Sequence, residues 1–177
     1  MNFKRVTYDP KRMNGQPCIR GLRLTVRRDG KVLHFGVSNF TPSGFDLLHR
    51  HIPLVTHQIE WSPLHLDPLT DGTLDQAQAL GVRPMIWSPF AGGRLFTGDG
   101  DAALRVQAVL RALATDWQTT PEAVACAWLL RHPARVVPVL GSRRPEAYRQ
   151  AVSALSLTMD RESWYRIWQA GAGHEVA

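Results

Sequence analysis

The sequence has little cysteine, no long apolar run and none of the short signatures that mark the commonest nucleotide and hydrolase sites. Its two cysteines, Cys18 and Cys126, lie in unlike surroundings with no metal-ligand spacing. That excludes a disulfide framework and predicts two free thiols in a reducing compartment. No apolar stretch approaches the roughly 20 residues of a membrane span, and the opening MNFKRVTYDPKRMNG has no signal-peptide core. A cytoplasmic protein with no membrane contact is therefore expected. The seven histidines show no ligand spacing, so no metal site is expected. Without Gly-x-Ser-x-Gly, P-loop or Gly-x-Gly-x-x-Gly, the nucleophile-elbow, phosphate-loop and Rossmann chemistries have no anchor.

What is present is enough for one core: 177 residues, 44% of them hydrophobic. A formal charge of +6 suggests an acidic partner, nucleic acid or a phosphorylated cofactor, but its distribution is uneven. Residues 1–31 hold nine basic side chains against Asp9 and Asp29, leaving twelve basic and thirteen acidic groups for the remainder. The basicity belongs to a leader, and the body is electrically ordinary. Residues 1–29 read as a separate segment, a basic β-hairpin with strands Phe3–Tyr8 and Cys18–Val26 and a turn at Asn14-Gly15-Gln16-Pro17.

From residue 30 to 177 the pattern is regular. Strand Val32–Val37 ends in Ser38-Asn39, and Thr41-Pro42 then opens a helix to His51 with Phe45, Leu47 and Leu48 facing inward. Strand Leu54–Ile59 leads through a proline-punctuated loop to a helix over Asp71–Leu80. Strand Val82–Trp87 runs into Ser88-Pro89-Phe90-Ala91-Gly92-Gly93-Arg94, whose glycines let the backbone approach a ligand closely. Helices follow over Ala102–Asp116 and from Pro121, capped by Thr119 or Thr120, to His132. The fourth strand, Arg135–Leu140, ends in Gly141-Ser142, and helices over Pro145–Ala154 and Asp160–Ala170 close the chain. Four strands alternating with helices predict parallel strands joined by right-handed crossovers. Eight such units close a barrel, and four do not.

Each strand ends in polar or aromatic residues, and in a parallel barrel these ends converge on one face. The ordered motifs GVSNF, HQIEWSP, MIWSP with its Gly-Gly loop, and VLGS resemble the second half of the aldo/keto reductases, over about Gly30–Ala177. The resemblance implies a partial (β/α)8 TIM barrel of about four C-terminal βα units and an NADPH-dependent oxidoreductase acting on a small carbonyl substrate. It implies that Ser38, Asn39 and Gln58 hydrogen-bond the nicotinamide carboxamide, and that Trp87, followed by Ser88, stacks on the ring. Backbone groups from Phe90 through Gly92 and Gly93 to Arg94 would wrap the pyrophosphate. Ser142 with Arg143 or Arg144 would meet the adenosine 2′-phosphate.

The sequence departs from the family at two places. An arginine common five residues after the last serine is here Ala147, and a Glu-Asn pair is Gln150-Ala151, with Arg143, Arg144 and Arg149 left to compensate. The family's catalytic Asp, Tyr, Lys and His lie on the first four βα units, ahead of Gly30. Tyr8, Asp9 and Lys11 fall within four residues and cannot reproduce groups from separate strands, so no catalytic residue is assigned. A truncated, catalytically impaired fusion is expected. Open strand edges predict a homodimer or aggregation. The leader Tyr8-Asp9-Pro10-Lys11 and Asn14 to Val26 resembles the small DUF433 family, linked to antitoxin-like proteins. A nucleic-acid-binding module led by residues 1–29 is the alternative reading, although a bare basic hairpin offers only salt-sensitive attraction.

Overall fold

The computed structural model describes residues 32–176 and, ahead of them, the dipeptides Val6–Thr7 (β1) and Cys18–Ile19 (β2). These two pair antiparallel, Val6 opposite Ile19 and Thr7 opposite Cys18, inside the two strands predicted for the leader. The predicted turn at Asn14–Pro17, and Tyr8, Asp9 and Lys11, lie outside the described residues.

Strands and helices then alternate: β3 (Phe35–Ser38), α1 (Pro42–His49), β4 (Leu54–Glu60), α2 (Thr73–Ala79) and β5 (Met85–Trp87). The short helix α3 (Arg94–Thr97) and the longer α4 (Asp101–Asp116) and α5 (Pro121–Leu130) precede β6 (Val137–Pro138). Helices α6 (Pro145–Ser153) and α7 (Arg161–Ala172) follow. The four strands β3 to β6 form one sheet in sequence order, every pair parallel. The fold is α/β with a four-stranded parallel sheet, a partial barrel.

Local chemistry starts the helices where the sequence places them. Thr41 caps α1 by accepting the Gly44 N–H at 3.2 Å, and Thr120, rather than Thr119, caps α5 through the Ala123 N–H at 3.2 Å. Asp160 accepts the Ser163 N–H at 2.7 Å and opens α7. Helix α5 is apolar all round, and Ala123 to Leu129 are all buried, as such a helix must be. It also holds Cys126, a free thiol that burial pushes up to about 12. That thiol is inert packing rather than a nucleophile. No helix among the described residues is long and apolar enough to cross a membrane.

An aromatic seam ties α5 to α7. Trp128 stacks on Trp164 at 5.5 Å and meets Trp61 at 4.9 Å. The two indoles exchange backbone bonds, Trp128 Nε1 to the Trp164 carbonyl and Trp164 Nε1 to the Trp128 carbonyl, each 3.0 Å. Each indole N–H is thus satisfied where it packs.

Four expectations need correction. The first strand runs Phe35–Ser38, so Ser38 belongs to the ladder rather than following it. Val82 is a core residue closing α2, its N–H on the Ala77 carbonyl, and the third strand starts only at Met85, after Pro84. The fourth strand shrinks to Val137–Pro138, just after Arg135 turns the chain at φ 54°. On α1 Phe45 is buried, but Leu47 is 42% exposed and faces solvent.

Candidate functional site

Strand register assembles the candidate site. Ser38 lies opposite Gln58, Gln58 opposite Met85, and Glu60 opposite Trp87, which puts these side chains on one face of the sheet at its C-terminal end. None of them is buried. The intervening residues His57, Ile59 and Ile86 face the helices and are buried.

At the strand ends the backbone turns sharply. Asn39 sits at φ 54° and Ser88 at φ 50°, conformations uncommon for residues other than glycine. The Asn39 N–H bonds the Gln58 carbonyl at 2.9 Å, and its side-chain Oδ1 accepts the Trp87 indole N–H at 3.0 Å. Asn39 is therefore a brace, fixing the half-exposed Trp87 ring while its amide nitrogen keeps two donors.

After Trp87 the Ser88 carbonyl accepts the Ala91 N–H at 2.8 Å, and the Phe90 carbonyl accepts the Gly93 N–H at 2.9 Å. Gly92 and Gly93 adopt φ 65° and 94°, and a Cβ on either would meet no atom within 4 Å, so this loop's backbone faces open space. Phe90 packs edge-on against Phe96, and exposed Arg94 turns its Nε back onto the Ala91 carbonyl at 3.0 Å.

The last motif is more loosely attached. The Ser142 hydroxyl accepts the Arg144 N–H at 3.1 Å, and both Arg143 and Arg144 are exposed. Arg149 pairs with Glu146 at 2.8 Å on the exposed side of α6, a surface contact of small energy. Ala147 and Ala151 face inward from α6, their exposures only 9% and 8%.

One supporting residue is absent from the sequence reading of the site. His57 Nε2 accepts the Phe40 N–H at 3.1 Å, and its ring lies 5.1 Å from that of Phe45, clamping the turn that carries Ser38 and Asn39. Strand alternation puts His57 on the helix side, but nothing in the sequence names its partner. Burial holds its pKa below the ordinary 6.5, against an opposing pull from Asp71. Burial does the same to His132, opposed by Asp75, and His132 Nδ1 accepts the Ala134 N–H at 3.2 Å. Both rings must stay neutral at their accepting nitrogens. Well above pH 6.5 neither state takes a proton, so stability is complete; as the pH approaches and passes 6.5 the unfolded chain protonates first and stability falls towards the lower folded values. Urea midpoints are expected to drop between about pH 7.5 and pH 5, and His57→Gln should flatten part of that slope. A midpoint rising as pH falls through this window would contradict the clamp.

Comparison with known proteins places the chain in a family. A model of the aldo/keto reductase family matches residues 24–172, and one of the DUF433 family, of unknown function, matches residues 6–38. The chain is 47% identical over 154 residues to the oxidoreductase YdhF of Escherichia coli, covering 85% of this chain and 51% of that protein. It is 45% identical over 150 residues to a 6-dehydroglucose reductase of Agrobacterium fabrum, covering 84% and 50%. Among solved structures, the thermostable aldo-keto reductase Tm1743, in complex with the inhibitor epalrestat, superposes with a TM-score of 0.72 at 25% identity, covering 81% of this chain and 50% of that one. The chain spans about half the length of the relatives it matches. With a family model covering most of its length and two oxidoreductases above 40% identity, the chain belongs to the aldo/keto reductase family.

Proposed function

We propose that this chain is the dinucleotide-holding half of an NADPH-dependent carbonyl reductase, able to bind the cofactor but not, alone, to turn over a carbonyl substrate. The observation that carries the reading is the braced Trp87 at the end of β5, held by Asn39 beside Ser38 and Gln58 on the sheet face away from the helices. The residues present fit the group. Ser38 and Gln58 offer the hydroxyl and amide that a carboxamide needs, and Trp87 offers a ring fixed against rotation. Gly92 and Gly93 leave backbone open for a pyrophosphate, with Arg94, Arg143 and Arg144 as exposed cations for phosphate oxygens.

When bound, the dinucleotide supplies the hydride; the chain's part is to hold it and set which ring face is presented. The step that needs a proton donor beside the carbonyl has no candidate in residues 30–177 that matches the family's Asp, Tyr, Lys and His. Loss of the family arginine at Ala147 leaves the 2′-phosphate to surface arginines, Arg143, Arg144 and Arg149, so preference for NADPH over NADH should be small. The buried free thiol of Cys126 suits a reducing compartment, the cytoplasm.

Calorimetric titration tests this. Saturable binding of NADPH is expected, less than tenfold tighter than NADH, without reduction of short aldehydes above background. No heat up to millimolar NADPH from a folded sample would refute the reading.

A further inference from the structure

The two faces of the sheet are unequal. His57, Ile59 and Ile86 are buried under helices, whereas Gly36, Thr56, Gln58, Met85, Trp87 and Val137 align across the register on the other face, all at least partly exposed. Parallel sheets occur almost only with both faces covered. Among the described residues no element covers this face.

The edges are unequal too. Val137 and Val139 spend their N–H groups on the Pro84 and Ile86 carbonyls of the β5 side, each at 2.8 Å, so the residue between them, Pro138, faces the free edge with a carbonyl and no donor. At the other edge the Asn39 N–H goes to Gln58, and by alternation Gly36 and Ser38 present both donor and acceptor outward. Apolar side chains are exposed beside both edges, Val137 at 38% and Leu33, just ahead of β3, at 79%.

We propose that a second copy of this chain covers the face. Two four-stranded sheets, related by a two-fold axis along the strand bundle, would close one eight-stranded parallel barrel with β6 of each copy beside β3 of the other. That axis sets the donors of the β3 edge against the Pro138 carbonyl of β6 and keeps every seam parallel. An axis across the strands would instead join like edges antiparallel and leave the other pair open. Eight strands give a barrel whose interior side chains fill, and the chain spans 50% of the solved relative it superposes on. Glu60 is the only charged side chain that the paired strands place on the inner face, and it stands at the C-terminal mouth, where water reaches it. The proposal stands apart from dinucleotide binding, which neither requires nor excludes it.

Light scattering after size exclusion should give twice the 19.8 kDa chain mass at tens of micromolar. In hydrogen exchange the Gly36 and Ser38 amides should be protected in the pair and lose that protection on dilution. Val137→Glu, on the inner face at the seam, should shift the mass to that of one chain, while Leu47→Glu, on the exposed side of α1, should not. A monomer at every concentration, or a ladder of larger species, overturns the proposal. So does a dimer whose Gly36 and Ser38 amides exchange freely, or one that persists in folded Val137→Glu. If that variant does not fold by circular dichroism, the exchange pattern of the unmodified chain decides.

Discussion

Trp128→Ala is expected to lower the unfolding free energy by about 3–5 kcal/mol, the range for deleting a fully buried aromatic side chain. The ring is 0% exposed and fills the space between Trp61 and Trp164. Removing it deletes the transfer free energy of the indole and leaves a cavity that rigid neighbours cannot collapse into. It also strips the Trp164 carbonyl of its 3.0 Å donor. Trp164 Nε1 still reaches the backbone carbonyl of residue 128, so one arm of the reciprocal pair survives. Against a typical total of about 5–15 kcal/mol, the loss removes a large share of stability. Trp128→Phe separates the two parts: it keeps most of the packing, drops the N–H, and should cost about 1–2 kcal/mol. The urea midpoint is the measurement, with the slope unchanged. A Trp128→Ala midpoint within error of the parent would mean that α5 and α7 are not stitched as described.

Such a seam is only partly written in the sequence. That Pro121–Leu130 forms a buried helix follows from apolar residues on every side and a Thr-Pro start. That Trp164 and Trp128, 36 residues apart, exchange backbone bonds does not follow, because no periodicity encodes which turn of one helix meets which turn of another. The site divides in the same way. Ser38, Gln58 and Trp87 are legible as strand-end residues, since polar and aromatic side chains closing apolar runs stand out. Their common face depends on register: one slip would send Gln58 to the helices and His57 to the pocket.

Strand lengths were least legible. Arg135-Val136-Val137-Pro138-Val139-Leu140 has the composition of a full strand, yet only Val137 and Pro138 pair as one. The turn at Arg135 is a backbone fact that β-branched composition masks. Arg149 shows the same limit for charge. Its sequence position suggests a phosphate ligand, and a glutamate three residues earlier on the same helix meets it at the surface, a contact that composition alone does not show.

The second large effect expected is on binding. Trp87→Ala should weaken NADPH binding by roughly 10-fold or more, because stacking on an aromatic ring is worth about 1–3 kcal/mol per base and each 1.4 kcal/mol is tenfold. The ring supplies this only if its plane is fixed before the dinucleotide arrives, and the indole N–H on Asn39 Oδ1 at 3.0 Å fixes it. Trp87→Phe keeps a stacking surface but loses that bond, and should cost several-fold. Asn39→Ala leaves the indole without its acceptor and should cost a similar amount. Because both substitutions break the same interaction, combining them should add little to either alone, the mark of direct coupling in a double-mutant cycle. Fully additive losses would show that Asn39 meets the cofactor separately rather than bracing Trp87. Unchanged affinity in Trp87→Ala would remove the indole from the site altogether. Far-UV circular dichroism distinguishes these outcomes from unfolding, since Trp87 is half-exposed and its removal leaves the buried seam around Trp128 intact.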